Sequence, residues 1–441
     1  MIELIVSPPA AFIDEHQSIY INGLNRNAKI TIRVFVNERG RKFESHAHFF
    51  ASDGTVYLEK HPSVSGSYIG VVPMGLFTHM HPSPGQRSGI RLVKKDVTSP
   101  LEFDLTVYEG FLSKEDFYSE TAKHIELAKT TLERWYMARD VERLEIKSGN
   151  IRGTLFKPKG DGQFPGIIDM FGSAGGIMEF RAALFSSYGF ACLSLAFFSY
   201  KDLPNALPSV DMLYFEEAVD WLINEPYVLG HGIGVISVST GAQTALMMTV
   251  ISGPKIKACV IINGPPYHTS YGPSRLYKGK EKSSIELNLD NAYMKDDIMF
   301  LRNCFPSESP DQYRHALINL EDSVSNFLFV VGEDDQSCPS PEFASIACDH
   351  LCNHGKDNWT LLSYPRAGHL IEPPYTPLCK TSFQPNLGYI SFYGGHPDEH
   401  AAAQEDSWRN ILIFFKKHLD KNNMIVQRSP FLEKISVRSK L

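Results

Sequence analysis

Short apolar runs alternate with amphipathic runs along the last two thirds of this chain. The strand-like runs are residues 166–171, 190–197, 232–238, 256–262, 327–331 and 359–364. The helix-like runs include 210–222, which lies between two of them, and the terminal run 401–419. Alternation at this spacing predicts an α/β domain with a mostly parallel sheet covered by helices on both faces. Because right-handed crossovers bring the carboxyl ends of parallel strands to one edge, we expect functional side chains to gather there.

The first hundred residues show a different pattern, in which apolar and polar residues alternate with period two. Residues 30–36 and 101–108 are examples, and turn signals such as Asn22-Gly23 separate the runs. This alternation is typical of strands with one buried face. We predict a β-sandwich domain over residues 1–112, a linker helix and connection over 113–149, a catalytic domain over 150–424 and a tail over 425–441. A chain of 441 residues is too long for one core.

One serine lies where a strand-like run meets a helix-like run, in the segment Ser237-Val-Ser239-Thr-Gly241. A serine on a sharp strand-to-helix turn, with small residues two before and two after it, forms a nucleophile elbow. The usual pattern is G-x-S-x-G, and here Ser237 replaces the first glycine. Ser239 is therefore the candidate nucleophile. The alternative is a serine that caps a helix after a buried strand.

Two further residues follow in the order that a hydrolase triad requires. The run 327–331 leads into the acidic turn Gly332-Glu-Asp-Asp335, and the run 359–364 leads into a loop with His369. α/β-Hydrolases carry nucleophile, acid and histidine in this chain order. We predict Asp335 as the acid, with Asp334 as its rival, and His369 as the base. A solvated turn and a structural loop histidine are the alternatives.

The same arrangement needs N–H donors for the anion that forms on an attacked carbonyl. The backbone of Thr240, directly after the nucleophile, is one candidate donor. The glycine-rich loop 172–176 offers the others, from Ser173 and Ala174, because it follows a strand as the oxyanion loop of these enzymes does. The loop lacks G-x-G-x-x-G spacing, which disfavours a dinucleotide site.

With these residues in place, the sequence resembles the acyl-coenzyme A thioesterase and bile acid-CoA:amino acid N-acyltransferase family over nearly its whole length. The densest blocks are VKKDV (93–97), RGTLF (152–156), FPGIIDMFG (164–172), YFEEA (214–218), HLIEPPYTPLC (369–379), GG (394–395) and HAAAQ (400–404). The resemblance implies an immunoglobulin-like β-sandwich followed by an α/β-hydrolase domain. It also implies a triad of Ser239, Asp335 and His369.

The resemblance further implies acyl-CoA as the substrate, with coenzyme A part of that substrate and no separate cofactor. Thioesterases of the family carry a serine nucleophile, whereas its amino acid N-acyltransferases typically carry cysteine. Ser239 thus favours hydrolysis of fatty acyl-CoA. Ser237-Val238 and the block 358–364 are closer to the acyltransferase branch, so transfer to an amino acid is the alternative. An inactive acyl-CoA binding protein and an esterase resembling dienelactone hydrolase are weaker alternatives.

Composition and patterning disfavour several other classes. The formal net charge is −7 without a large basic block, so no nucleic-acid partner is predicted. No apolar stretch approaches the roughly 18 residues of a spanning helix, so no membrane span is predicted. Seven scattered cysteines without a C-x-x-C pair indicate reduced thiols. On a helix, Cys348 and Cys352 face away from the interleaved His350 and His354, so no metal site is predicted.

The chain ends in Ser439-Lys440-Leu441. A free terminal S-K-L is a peroxisomal address that an import receptor reads. We therefore predict peroxisomal localisation, with that receptor as a partner. The alternative is a polar tail that ends in these residues by chance.

Overall fold

The computed structural model describes residues 1–119, 121, 124–206, 210–270, 276–305, 314–385 and 388–420. The chain divides into two compact units. The first contains Met1–Tyr136 and Pro373–Leu378, and the second contains Met137–Glu372 and the described residues from Cys379 onward. The predicted tail, including Ser439-Lys440-Leu441, lies outside the described residues.

The first unit is built almost entirely of strands. They are β1 (Glu3–Ser7), β2 (Ala10–Phe12), β3 (Ser18–Asn22), β4 (Ala28–Glu38), β5 (Arg41–Ala51), β6 (Val56–Tyr57), β7 (Ser65–Gly66), β8 (His81–Pro82), β9 (Leu101–Glu109) and β10 (Glu126–Trp135), with one short helix, α1 (Gly75–Thr78). One sheet has the order β1-β3-β6, and the other has the order β2-β10-β9-β4-β5-β7 with β8 paired to β5. Along β4, Ile30, Ile32 and Val34 are all fully buried, as the period-two pattern predicted. The immunoglobulin-like topology stays a prediction.

The predicted linker helix is wrong. In the described part of 113–149, the helical structure is a single 3-10 turn, Asp116–Tyr118, and the remainder includes β10. This strand pairs antiparallel with β9 and parallel with β2. Leu132 and Arg134, two positions apart, are both fully buried. Pairing on both sides and burial at period two outweigh the interleaved charges that suggested a helix.

The second unit begins with a strand that the sequence analysis placed in the linker. Its strands are β11 (Val141–Ser148), β12 (Ile151–Pro158), β13 (Gly166–Asp169), β14 (Ala191–Ala196), β15 (Ile233–Val238), β16 (Ile256–Ile262), β17 (Thr269–Ser270), β18 (Leu276–Tyr277), β19 (Lys280–Glu281), β20 (Ile285–Glu286), β21 (Tyr293–Lys295), β22 (Ile298–Phe300), β23 (Asn326–Gly332), β24 (Trp359–Tyr364), β25 (Thr381–Gln384) and β26 (Tyr389–Phe392). Because β11 pairs with β12, the second unit begins near residue 137 rather than 150.

Eight of these strands form the central sheet, in the order β11-β12-β14-β13-β15-β16-β23-β24. The pairs β11–β12 and β12–β14 are antiparallel, and every pair from β14 to β24 is parallel. The mostly parallel sheet is thus confirmed, and the fold is that of an α/β-hydrolase domain. Its carboxyl edge presents the ends of β15, β23 and β24, which precede the three predicted triad residues.

Five helices accompany this sheet in the described residues. They are α2 (Phe180–Ser187), α3 (Leu213–Ile223), α4 (Thr240–Ile251), α5 (Ser340–Asn353) and α6 (Pro397–Leu419). Strands β15 and β16 are buried almost throughout, and α4 follows β15 after a single residue. Among the described helices, none combines the length and apolar character needed to cross a membrane.

A small four-stranded sheet, β21-β22-β26-β25, was not predicted. Its strands have only three or four residues each, too few to show a pattern of alternation. Strands β21 and β22 come before β23, and β25 and β26 come after β24. The sheet therefore joins chain segments that are far apart in sequence.

Candidate active site

Ser239 occupies the single residue between β15 and α4, with φ 59° and ψ −136°. A positive φ of this kind costs a residue with a side chain about 1–3 kcal/mol and is concentrated at functional turns. The Ser239 side chain makes no capping hydrogen bond to α4. The structure therefore departs from the alternative in which this serine caps the helix, and has the geometry of an elbow.

The small residues around Ser239 are required by close approach of the backbone. A Cβ on Gly241 would lie 2.3 Å from the carbonyl oxygen of Phe171 and 2.4 Å from Ser237 Oγ. A Cβ on Gly264 would lie 2.0 Å from that of Ala242. Ser237, which replaces the usual first glycine, is fully buried, so its hydroxyl is not available to a substrate.

Asp335 and His369 are brought together by the turns after β23 and β24. His369 Nδ1 lies 2.6 Å from Asp335 Oδ2, and both side chains are buried. Because an ionised carboxylate only accepts hydrogen bonds, Nδ1 carries the hydrogen and the lone pair of the neutral ring lies on Nε2. This tautomer is the one that a general base for a serine hydroxyl needs.

Four more donors fix the carboxylate of Asp335. The N–H groups of Ser337 and Cys338 donate to Oδ1 at 2.8 and 3.1 Å. Ser340 Oγ donates to Oδ2 at 2.5 Å. Cys338 Sγ also donates to Oδ2, at 3.5 Å. With the contact from His369, five hydrogen bonds thus hold the acid in one orientation. The sequence analysis missed Ser340, which lies five residues after the acid at the start of α5.

Asp334, the rival acid, belongs to a different set of contacts. Its Oδ2 accepts from the N–H of Gly395 at 2.8 Å, and its Oδ1 accepts from Gln336 Nε2 at 2.7 Å. His396 Nε2 lies 3.7 Å from Asp334 Oδ2. The structure therefore places Asp335, and not Asp334, against His369.

The loop that carries His369 is held by two buried residues that the sequence analysis did not assign. Asn263 Nδ2 donates to the carbonyl oxygens of His369 and Gly368 at 2.7 and 3.2 Å. His400 Nδ1 accepts from the N–H of Gly368, and its Nε2 donates to the carbonyl of Leu370, each at 3.1 Å. Both residues fix the backbone on either side of the His369 imidazole.

His400 provides a pH-dependent prediction. Burial lowers the pKa of its imidazole to about 4 from 6.5, and the side chain is 1% exposed. The unfolded chain binds the extra proton more readily than the folded chain. The stability contributed by the neutral, buried His400 is therefore complete above pH 6.5 and is lost as pH falls toward 4. We expect His400 to remove about 3 kcal/mol of unfolding free energy across that range.

Denaturant unfolding at several pH values would measure this loss. A His400→Gln variant should show a flatter dependence of unfolding free energy on pH between 6.5 and 4. The exposed His396, four residues earlier, gives a matched control, since His396→Gln should keep the wild-type slope. Equal slopes for wild type and His400→Gln would contradict the assignment.

The glycine-rich loop approaches the candidate nucleophile closely. A Cβ on Gly172 would lie 2.9 Å from Ser239 Cβ and 3.4 Å from Ser239 Oγ. Ser173 and Thr240 line the same cleft as Ser239. Thr240 begins α4, and the first N–H groups of a helix have no partner within it. Ala174 follows in the loop, and the assignment of oxyanion donors stays a prediction.

Ser239 lines a small cleft, in which the centres of water-sized molecules can occupy about 40 Å³. The described lining residues are Ser173, Ser239, Thr240, Pro265, Thr269, Leu301, Phe305, Ser337, Cys338, Gln384, Tyr389, Ser391 and Tyr393. Four of them come from β25, β26 and the residue after β26. Nine of these thirteen residues carry a hydroxyl or a side-chain amide, so the space beside the serine can hold water or another polar molecule.

Comparison with known proteins gives matches over both units. Residues 14–148 match the family described as "Acyl-CoA thioester hydrolase/BAAT N-terminal region", and residues 210–421 match "BAAT / Acyl-CoA thioester hydrolase C terminal". These matches cover more than half of the chain.

Individual proteins are similar over nearly the same length. The bile acid-CoA:amino acid N-acyltransferase of Mus musculus is 42% identical over 95% of this chain and 98% of its own. Acyl-coenzyme A thioesterase 1 of Homo sapiens is 38% identical over 92% of this chain and 94% of its own. Among solved structures, an acylaminoacyl peptidase from Pyrococcus horikoshii is 13% identical, covering 96% of this chain and 62% of that one, with a TM-score of 0.42.

Proposed function

We propose, from the premise that the chain belongs to the acyl-CoA thioester hydrolase and bile acid-CoA:amino acid N-acyltransferase family, that it hydrolyses fatty acyl-CoA to free fatty acid and coenzyme A. The observation that carries the proposal is the pairing of His369 Nδ1 with Asp335 Oδ2 at 2.6 Å. It accompanies a serine on a strained elbow that opens into a cleft. Both are features of serine-dependent acyl transfer.

The first half of the reaction forms an acyl-serine. His369 Nε2 takes the proton from Ser239 as Oγ attacks the thioester carbonyl, and Asp335 stabilises the imidazolium. Backbone N–H groups of Thr240 and of the loop at Ser173 and Ala174 stabilise the oxyanion. The carbon–sulfur bond then breaks. A thiol has a pKa of about 8.5, so coenzyme A leaves with little help from an acid. His369 Nε2 then passes its proton to the departing sulfur or to solvent, which restores the neutral ring for the second half.

The second half returns Ser239 to its starting state. His369 takes a proton from water, the hydroxide attacks the acyl-serine, and the proton passes back to Ser239 Oγ as the fatty acid leaves. The polar lining of the cleft supports this step because hydroxyl and amide groups retain water beside the ester. Hydrolysis therefore needs no additional catalytic group.

Transfer to an amino acid is the second candidate. Sequence identity favours it by a small margin, since the human N-acyltransferase is 39% identical to this chain and the human thioesterase 38%. At position 239, the family resemblance favours hydrolysis, because the chain carries serine there and the N-acyltransferases typically carry cysteine. An acyl-serine is an oxygen ester, and amines compete with water less well for an ester than for the thioester of an acyl-cysteine.

A single assay separates the two candidates. Fatty acyl-CoA is supplied with and without saturating glycine or taurine, and products are quantified by mass spectrometry. We expect mostly free fatty acid from the wild type, and a larger fraction of amide from Ser239→Cys. Mostly amide from the wild type would overturn the hydrolase proposal. Coenzyme A release that fails in every arm would point to a binding protein.

We also propose that the protein is imported into peroxisomes through Ser439-Lys440-Leu441. Deletion of Leu441 should leave an N-terminal fluorescent fusion in the cytosol, because the receptor reads the free terminal tripeptide. The intact fusion is the control and should be punctate with a peroxisomal marker. Unchanged punctate import after the deletion would reject this address.

A further inference from the structure

Two histidines one helical turn apart share a glutamate near the carboxyl end of α5. His350 and His354 are at positions i and i+4, so their side chains leave the same side of the helix. His350 Nε2 lies 2.5 Å from Glu321 Oε2, and His354 Nε2 lies 3.9 Å from Glu321 Oε1. One possible ligand atom from each of the three residues lies within 4.8 Å of the others.

The tautomer of His354 is fixed by its own helix. His354 Nδ1 lies 2.8 Å from the carbonyl oxygen of His350. A carbonyl only accepts, so Nδ1 carries the hydrogen and Nε2 of the neutral ring holds a lone pair on the side of Glu321. Histidines that bind metals commonly donate from their other nitrogen to such a group, which sets the ring orientation.

The two elements that carry these residues are anchored in the core. Glu321 lies in the 3-10 turn Leu320–Asp322, directly before β23. Leu320 and Leu351, the chain neighbours of Glu321 and His350, are fully buried in one hydrophobic cluster. The His354 side chain is 43% exposed, against 15% for His350. The group formed by Glu321, His350 and His354 is thus anchored to the core on its inner side and open to solvent on its outer side.

We propose that Glu321, His350 and His354 form a binding site for a divalent transition-metal ion, with zinc as the ion of choice. Two imidazole nitrogens and one carboxylate oxygen are ligands that zinc accepts, with water in the fourth position. Bonds of about 2.0–2.1 Å at tetrahedral angles separate ligand atoms by about 3.3 Å. Glu321 approaches the two imidazoles with different oxygens, Oε2 at 2.5 Å from His350 and Oε1 at 3.9 Å from His354, so binding of an ion through one of these oxygens requires a rotation of the carboxylate.

This site differs from the set of residues considered from sequence. There, Cys348 and Cys352 faced away from the two histidines, and no metal was predicted. The structure supplies Glu321, 29 positions before His350, as the third ligand. A bound ion would connect α5 to the turn before β23, which leads to the Asp335 turn.

The test uses full-length protein that has been stripped with a chelator and then titrated with zinc and, separately, with cobalt. We expect each wild-type chain to bind one zinc ion and the His354→Gln variant to bind none. At a hundredfold excess over the dissociation constant, the wild-type melting temperature should rise by about 5 °C and fall again with chelator. The cobalt complex should show no thiolate charge-transfer band.

Two further variants make the outcome specific. His16 also faces a glutamate, with Nδ1 3.3 Å from Glu59 Oε1, so His16→Gln is the matched control and should retain the zinc. His354→Gln preserves the His350–Glu321 pair and is expected to fold. The proposal is overturned if the wild type binds no zinc. It is also overturned if His354→Gln binds zinc equally, which would direct attention to the other described cluster, Asp335, Cys338 and His369.

Discussion

Replacement of Ser239 with alanine should lower the rate of coenzyme A release by about 10⁴–10⁶-fold, as loss of a nucleophile does in serine hydrolases. In the proposed mechanism, Ser239 Oγ is the atom that forms the acyl intermediate, and no other group takes its place. Such a loss corresponds to about 5–8 kcal/mol of transition-state stabilisation. The measurement is single-turnover and steady-state release of free thiol from fatty acyl-CoA.

Stability should change little in the same variant. The Ser239 side chain makes no capping hydrogen bond to α4, so its removal leaves the helix intact, and thermal unfolding would verify the fold. Ser237→Ala is the matched control, since Ser237 is fully buried two residues earlier and should retain activity within about tenfold. More than a tenth of wild-type activity in folded Ser239→Ala, or an equal loss in Ser237→Ala, would contradict the assignment of the nucleophile.

The candidate site residues that could be predicted from sequence are those that lie within short local sequence patterns. Ser239 was identifiable as the residue of a strand-to-helix turn because the strand, the turn and the helix follow one another directly in sequence. Asp335 and His369 each follow a buried or edge strand directly, so a parallel sheet brings all three to one edge. The pairing of Asp335 and His369 then depends on the order of β15, β16, β23 and β24, which apolar periodicity does not specify.

The supporting residues were missed because their partners are distant in sequence. Asn263 contacts the backbone of His369 across 106 positions, and His400 reaches Gly368 across 32. The block 400–404 contributed to the family resemblance but carried no role. The linker helix was predicted wrongly for the same reason, because β10 is a strand through its pairing with β2 and β9, which are distant in sequence or not recognisable as partners from it. Charges interleaved with apolar residues do not distinguish a helix from a strand that is buried only in part.

The contacts from these supporting residues also fix the orientation of the His369 ring. Its loop backbone is bonded by Asn263 and His400, and its ring is bonded by Asp335. The ring of Tyr393 lies 5.0 Å from that of His369. An enzyme that needs an imidazole held in one tautomer gains from such fixed contacts because little reorganisation remains for the reaction itself. The acid is the contact that sets the tautomer.

Replacement of Asp335 with asparagine should therefore lower kcat by about 10³–10⁴-fold while leaving the backbone of the site in place. An asparagine side chain can present N–H in place of an accepting oxygen to His369 Nδ1. The ring then shifts to the tautomer with hydrogen on Nε2, which cannot take a proton from Ser239. The variant also loses the charge that stabilises the imidazolium. Steady-state kinetics with fatty acyl-CoA measures the effect.

The neighbouring Asp334→Asn variant is the matched comparison, with the same chemical change one residue earlier. Asp334 accepts from Gly395 and Gln336 and does not contact His369, so its replacement should cost less than about tenfold. Asparagine retains one accepting oxygen for the Gly395 N–H, which should preserve the turn. If Asp334→Asn lost more activity than Asp335→Asn in folded proteins, the acid would have to be reassigned. The 2.6 Å contact between Asp335 and His369 would then be structural, because a hydrogen bond that sets the tautomer of the base must affect turnover more than one that shapes an adjacent turn.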